Sequence, residues 1–197
     1  MPGIDFFVPM AVFAISTLIT PGPNNMMLAA SGVSYGFRRT RPLILGICFG
    51  HSGMTFVIGV GLGPIFTEYP QVLLTMRYLA FVFICWIAWR IARADIDKVG
   101  SGKPMTFFQG ALFQWINPKA VAMSVGALSL FMTGEAALLE AALISGIFLV
   151  FALPSQSLWA LFGAAIGNYL RGNRRMLRVF NITMAALLIL AMLPTLF

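Results

Sequence analysis

From Phe6 to Phe37 the chain carries no charged residue, and near the middle of that run stands Thr20-Pro21-Gly22-Pro23-Asn24-Asn25. About 20 apolar residues in a helix cross the ~30 Å hydrocarbon core of a bilayer. The run is longer than that, yet it cannot be one regular helix. Pro21 and Pro23 lack the N–H that a helix interior uses, and each disfavours α geometry in the residue before it. Gly22 accepts backbone angles that other residues avoid. The segment therefore reads as two half-helices joined by unwound backbone. At bilayer depth such backbone is tolerated only where protein buries it or it lines a polar cavity. The break is thus a candidate site from the outset.

Composition agrees with a membrane setting. Of 197 residues, 59% are hydrophobic and only 10% charged, against about 25% charged in a soluble domain. No stretch is polar enough for a separate soluble domain, so residues 1–197 read as one transmembrane domain. The net charge of +7 does not point to nucleic acid, because the basic residues fall in short clusters between apolar runs. They read as topogenic charge. Met1–Met10 contains no Lys or Arg, so the first apolar run is expected to be a retained span rather than a signal peptide. Cys48 and Cys85 lie within apolar runs and read as small core residues rather than a disulfide.

Charges cut the sequence into six apolar runs: Phe6–Phe37, Pro42–Thr67, Tyr69–Trp89, Pro104–Gly134, Ala141–Leu170 and Val179–Phe197. Arg38, Arg39 and Arg41 separate the first two. Arg90, Arg93, Lys98 and Lys103 separate the third and fourth, and Arg171, Arg174, Arg175 and Arg178 the last two. Only Arg77 and Lys119, of 13 cationic residues, fall inside runs. By the positive-inside rule the basic loops are cytoplasmic and both termini lie outside.

The expected fold is an all-α membrane protein of six transmembrane helices arranged as two inverted three-helix repeats, with helices one and four broken at Pro motifs. Repeat one covers about 1–94, a cytoplasmic loop about 95–103, and repeat two about 104–197. An odd number of spans per half inverts the second half. Asn117-Pro118-Lys119 interrupts run four at its centre, as Pro21-Gly22-Pro23-Asn24 interrupts run one. Matching interruptions in two halves are a pointer to a transporter binding site.

Lys119 is the first candidate for chemistry. It lies ~15 residues from either end of its run, where a Lys costs ~2.5–3.5 kcal/mol on insertion scales. Its stem is too short to snorkel to an interface ~15 Å away. It could hold a substrate carboxylate or exchange a proton. Asn24 and Asn25 are expected to cap the second half of the first span, whose N–H groups suit a carboxylate. Asn117 is their counterpart; the bland reading of all three is ordinary capping. His51, in Gly50-His51-Ser52-Gly53, is either a neutral hydrogen-bonded core residue or a proton-coupling group. Gln109, Gln114, Ser155, Gln156 and Asn181 read by default as interhelical hydrogen-bonding groups. Pro154 marks a candidate further break, and Arg77 a candidate partner for Glu68 or Glu140.

Thr20-Pro21-Gly22-Pro23-Asn24-Asn25, Gly36-Phe37-Arg38 before a Gly-rich second run, and Asn117-Pro118-Lys119-Ala120 resemble the LysE/RhtB family of bacterial amino-acid exporters. The resemblance covers essentially the whole chain, and Leu18–Asn25 with Gly36-Phe37-Arg38 look most like the cysteine and O-acetylserine exporter branch. It implies a secondary transporter in the bacterial inner membrane that exports amino acids or small derivatives by proton antiport with alternating access. Its motif residues correspond to Pro21, Gly22, Pro23, Asn24, Asn117, Pro118 and Lys119, with Asn25 adjoining. The expected partners are the amino acid, protons and the lipid bilayer; homo-oligomerisation is left open. A channel or structural membrane subunit without coupled transport is the alternative. An enzyme is not expected: there is one His, no Gly-x-Ser-x-Gly pattern and no paired intramembrane carboxylates. No cofactor or metal is expected either.

Overall fold

The computed structural model describes residues 4–62, 68–93, 103–170, 173–190 and 193. Within them the chain is helical and has no strand. The helices are α1 (Ile4–Ile19), α2 (Pro23–Val57, continued by a π-helical segment, Ile58–Leu62), α3 (Pro70–Ala92), α4 (Phe107–Ile116), α5 (Pro118–Phe131), α6 (Ala137–Tyr169) and α7 (Arg174–Leu190). Helical structure stops at Ile19 and restarts at Pro23, and stops at Ile116 and restarts at Pro118. Both interruptions fall at the Pro motifs. The 95–103 loop lies outside the described residues except for Lys103.

α2 contains a second discontinuity. Gly36 has φ 75° and ψ 165°, a conformation that only glycine adopts without strain, and the chain turns back on itself there. Ser31 Oγ and Thr40 Oγ1 meet at 2.9 Å across the turn. Residues before and after Gly36 then pack against opposite halves of α6. Phe13 meets Phe148, Gly163 faces Ala29 and Gly167 faces Val33. These pairs advance together, so α1 and the start of α2 run parallel to α6. Ser52 Oγ donates to Ser145 O at 2.8 Å and Gly59 faces Ala141, so the later part of α2 runs antiparallel to it. That later part lies parallel to α4, with Gly46 against Phe107 and Gly50 against Ala111.

Polarity is partitioned as a lipid-facing surface requires. Thr40, His51, Thr55, Gln114, Ser124 and Gln156 are buried, while Phe108 is 73% and Leu112 68% exposed. Large apolar side chains in such numbers outside and amides inside reverse the usual trend of water-soluble proteins. Two segments, Pro23–Gly61 and Ala137–Tyr169, are long and apolar enough to cross a membrane by length and composition. The first of them is folded back at Gly36. α6 rises about 50 Å at ~1.5 Å per residue, ample for a tilted span.

Two expectations need correcting. Pro154 does not break the fifth run; α6 continues through it. One missing N–H bond is tolerated because the helix is held along its length by α2, and neighbouring helices commonly support a proline inside a span. The basic clusters are also not confined to loops. Arg38, Arg39 and Arg41 are helical within α2, and α7 begins at Arg174. Charge-free limits mark where side chains tolerate lipid, not where backbone hydrogen bonding stops.

Backbone-to-backbone packing of α2 on α6 depends on glycine. A Cβ on Gly163 would overlap the carbonyl of Ala29, whereas a Cβ on Gly146 meets nothing within 4 Å. Gly163→Val is therefore expected to destabilise the detergent-purified protein by about 1–3 kcal/mol or more through overpacking. Gly146→Ala on the same helix should be neutral or stabilising by up to ~1 kcal/mol. Melting curves of the two variants check this, and equal effects would contradict the packing.

Candidate functional site

The two breaks differ in construction. The first is unwound over Thr20, Pro21 and Gly22; Gly22 is fully extended, and Pro23 occupies the first helical position of α2, where its missing N–H costs nothing. The second break is one residue wide. Asn117 (φ −77°, ψ 106°) ends α4 and begins α5. Its side-chain oxygen accepts from Lys119 N at 3.2 Å, an N-cap bond, and Pro118 holds the first position of α5.

Asn24 and Asn25 do not cap α2. Its N-cap is Gly22, with no side-chain cap bond, because Pro23 starts the helix one residue ahead of Asn24. Asn25 instead reaches back to the end of α1, its Nδ2 donating to Leu18 O at 3.0 Å and Thr20 O at 2.9 Å. Asn24 turns towards the second break. Its Nδ2 donates to Gln114 Oε1 at 2.8 Å, and Gln114 Nε2 donates back to Asn24 Oδ1 at 3.1 Å. Asn117 Nδ2 donates to the same Oδ1 at 3.2 Å. Three amides thus tie the two interrupted helices together. The first backbone bond of α2 is Met26 N to Gly22 O, so the N–H groups of Asn24 and Asn25 precede its ladder.

Lys119 completes the connection. From the first turn of α5 its Nζ donates to Thr20 O at 2.6 Å and Thr20 Oγ1 at 2.8 Å, with Pro21 O at 3.4 Å. These are the carbonyls released by unwinding α1, at the negative end of its dipole. Gly22 makes room for the lysine: a Cβ there would lie 2.8 Å from Lys119 Cδ and 3.0 Å from Nζ.

Around this junction is a small, partly open cleft. Its wall includes Gly22, Asn24, Asn25, His51, Asn117 and Lys119, so the structure gathers six sequence candidates in one place. Pro21, Pro23 and Pro118 shape the breaks without lining the cleft. Thr17, Leu18, Ala120, Met123 and Gln156 complete the wall. Among the described residues no acidic side chain lines it, and Lys119 and the N-terminal end of α2 both present positive charge or partial charge there.

His51 is buried in the wall against the Phe148 ring, 4.7 Å between centroids. Thr55 Oγ1 donates to His51 O at 2.9 Å and lies 2.6 Å from Ser124 Oγ, which is 3.3 Å from His51 Nε2. Ser124 Oγ thus bridges Thr55 Oγ1 and the imidazole, linking His51 to α5. Arg77's side chain lies outside the described residues. Glu140, a candidate partner for it, accepts from Thr133 N, Thr133 Oγ1 and Gly134 N, stapling the turn before α6.

Sequence reasoning missed Thr20 as the lysine's partner and gave Gln114 and Gln156 only a default role. Gln114 stands one turn before Asn117, and Gln156 sits at the middle of an apolar run; mid-run depth was the signal available for both. Deleting one member of the Asn24–Gln114 pair leaves Gln114 Oε1 or Asn24 Nδ2 without its partner, at about 1–3 kcal/mol. Asn24→Leu and Gln114→Leu should each destabilise by that order, and the double variant by clearly less than their sum. Additive losses in a double-mutant cycle would show that the amides do not couple the helices.

The chain matches the LysE type translocator family over residues 15–193. It is 28% identical over 180 residues, 90% of either chain, to the cysteine/O-acetylserine efflux protein of Escherichia coli O139:H28 (strain E24377A / ETEC). It is 27% identical, with the same 90% coverage, to the proteins of that name from Escherichia coli (strain K12) and Shigella flexneri. No solved structure matches it significantly.

Proposed function

The chain belongs to the LysE type translocator family, and on that premise we propose that it exports amino acids or small amino-acid derivatives across the bacterial inner membrane, with cysteine and O-acetylserine the first substrates to test. It is a transporter and not an enzyme. The observation that carries the reading is Lys119. A lysine ammonium stands at a junction of two interrupted helices, beside a cleft without an acidic counter-charge. Such a cleft is complementary to a carboxylate, which Lys119 and the first N–H groups of α2 would receive. Gly22, Asn24, Asn25 and Asn117 form the rest of the binding surface, and Pro21, Pro23 and Pro118 keep the backbone open there.

In this reading the chain makes six spans in two inverted repeats. α1 with the start of α2 forms span one, and α4 with α5 forms span four. The parallel course of span one and α6, and of span two and α4, supports alternation of direction along the chain. Both termini are outside, with the basic clusters in the cytoplasm. Rocking of one half against the other about the Lys119–Thr20 contact would expose the cleft to each side in turn, with proton antiport driving net export. His51, buried in the cleft wall and tied to α5 through Ser124, is the coupling candidate, with Lys119 as the other.

Proteoliposomes holding purified protein test this with labelled cysteine. The expected result is saturable uptake, stimulated by cysteine on the opposite side and accelerated by a pH gradient. His51→Gln should keep exchange and lose the acceleration. Flux that never saturates would indicate a channel, and no flux above empty liposomes a structural subunit.

A further inference from the structure

Unwinding two helices exposes polar groups, and nearly every such group at this junction has a partner. Thr20 O receives Lys119 and Asn25. Asn24 Oδ1 receives Gln114 and Asn117. Among the described residues three buried side-chain oxygens have no hydrogen-bond partner: Ser155 Oγ, Gln156 Oε1 and Asn181 Oδ1. Of these residues only Gln156 lines the cleft. It is 2% exposed. A buried acceptor left unpaired costs about 1–3 kcal/mol. Groups of this kind are few in native structures and call for a reason.

Gln156 reaches the cleft from α6, which belongs to neither interrupted helix. Its carbonyl oxygen can accept but carries no charge. The side-chain chemistry of the remaining wall is mostly donating or already committed. Lys119 and the start of α2 favour the carboxylate of an α-amino acid, and the carbonyls that would otherwise suit its ammonium are held by Lys119 itself. With no carboxylate in the wall among the described residues, the ammonium must find a neutral acceptor.

We propose, resting on the export reading above, that Gln156 Oε1 is the specificity-determining acceptor for the substrate's ammonium. The three bonds of Lys119 would then hold one pole of the site, and Gln156 would read the other. α6 would sense the substrate directly, although its only irregularity is Pro154, two residues away. A hydrogen bond from a charged donor is stronger than one between neutral groups, at about 1.5–3 kcal/mol. Removing the acceptor should therefore weaken discrimination between an amino acid and its analogue lacking the amino group by about ten- to a hundredfold.

The experiment compares equilibrium binding of cysteine and 3-mercaptopropionate, the same molecule without the amino group, to the full chain in detergent under reducing conditions. Wild type is expected to prefer cysteine. Gln156→Met, which keeps the side-chain length and removes the acceptor, is expected to lose that preference at least tenfold while its affinity for 3-mercaptopropionate stays near wild type. An unchanged preference in Gln156→Met overturns the assignment and leaves the export reading intact. Should Gln156→Met fail to fold, Gln156→Glu decides. It retains an acceptor, so a preference kept or increased supports the role, and a preference lost overturns it. Wild type binding neither probe removes cysteine as a substrate and this assignment with it, and leaves export of other amino acids standing.

Discussion

The contact between the Lys119 ammonium and the carbonyls of Thr20 and Pro21 is what the rest of the structure depends on. Each partner would be costly alone. A lysine within an apolar run is costly to remove from water, and carbonyls released from a helix have lost their intrahelical partners. Brought together, each removes the other's penalty. The two interruptions therefore face each other. Gly22 leaves open the space taken by the lysine, since a Cβ there would lie 2.8 Å from Lys119 Cδ.

Holding the two breaks in register is the work of the surrounding frame. Asn24, Gln114 and Asn117 lock the helices side by side with reciprocal amide bonds. α6 lies against both arms of the α2 turn, with backbones in contact at Gly32, Gly163 and Gly167. Small residues let helices approach closely where the hydrophobic effect gives no drive between them. The frame is thus rigid around a junction that is itself irregular. Several polar groups at the junction are satisfied across segments, Thr20 by Lys119 and Asn25, and Asn24 by Gln114 and Asn117.

Much of this was legible in the sequence, and for physical reasons. The helix breaks at Pro21–Pro23 and at Asn117 follow from the missing N–H of proline, a local property that needs no tertiary information. Contacts between segments far apart in the chain were not legible. Asn24 and Asn25 were read as caps because caps are local, but Pro23 displaced the helix start, and both side chains bond elsewhere. Pro154 was overread by the same local rule: a proline ends a helix only when packing does not hold it, and α2 holds α6. Gln156 looked like any other polar residue within a span. Its distinction, an unpartnered buried oxygen on a residue that lines the cleft, exists only once the helices are assembled.

The site stands on the charge of Lys119, and the measurement that bears on it most directly is binding of cysteine and of cysteamine, which lacks the carboxylate, to wild type and to Lys119→Met. The methionine fills similar space and carries no charge, so melting curves can establish that the variant is folded. Wild type is expected to bind cysteine at least about tenfold more tightly than cysteamine, as loss of a charge-assisted hydrogen bond implies, and the folded variant to lose that difference. A folded Lys119→Met that binds cysteine as tightly as wild type, with the same preference over cysteamine, would contradict the site.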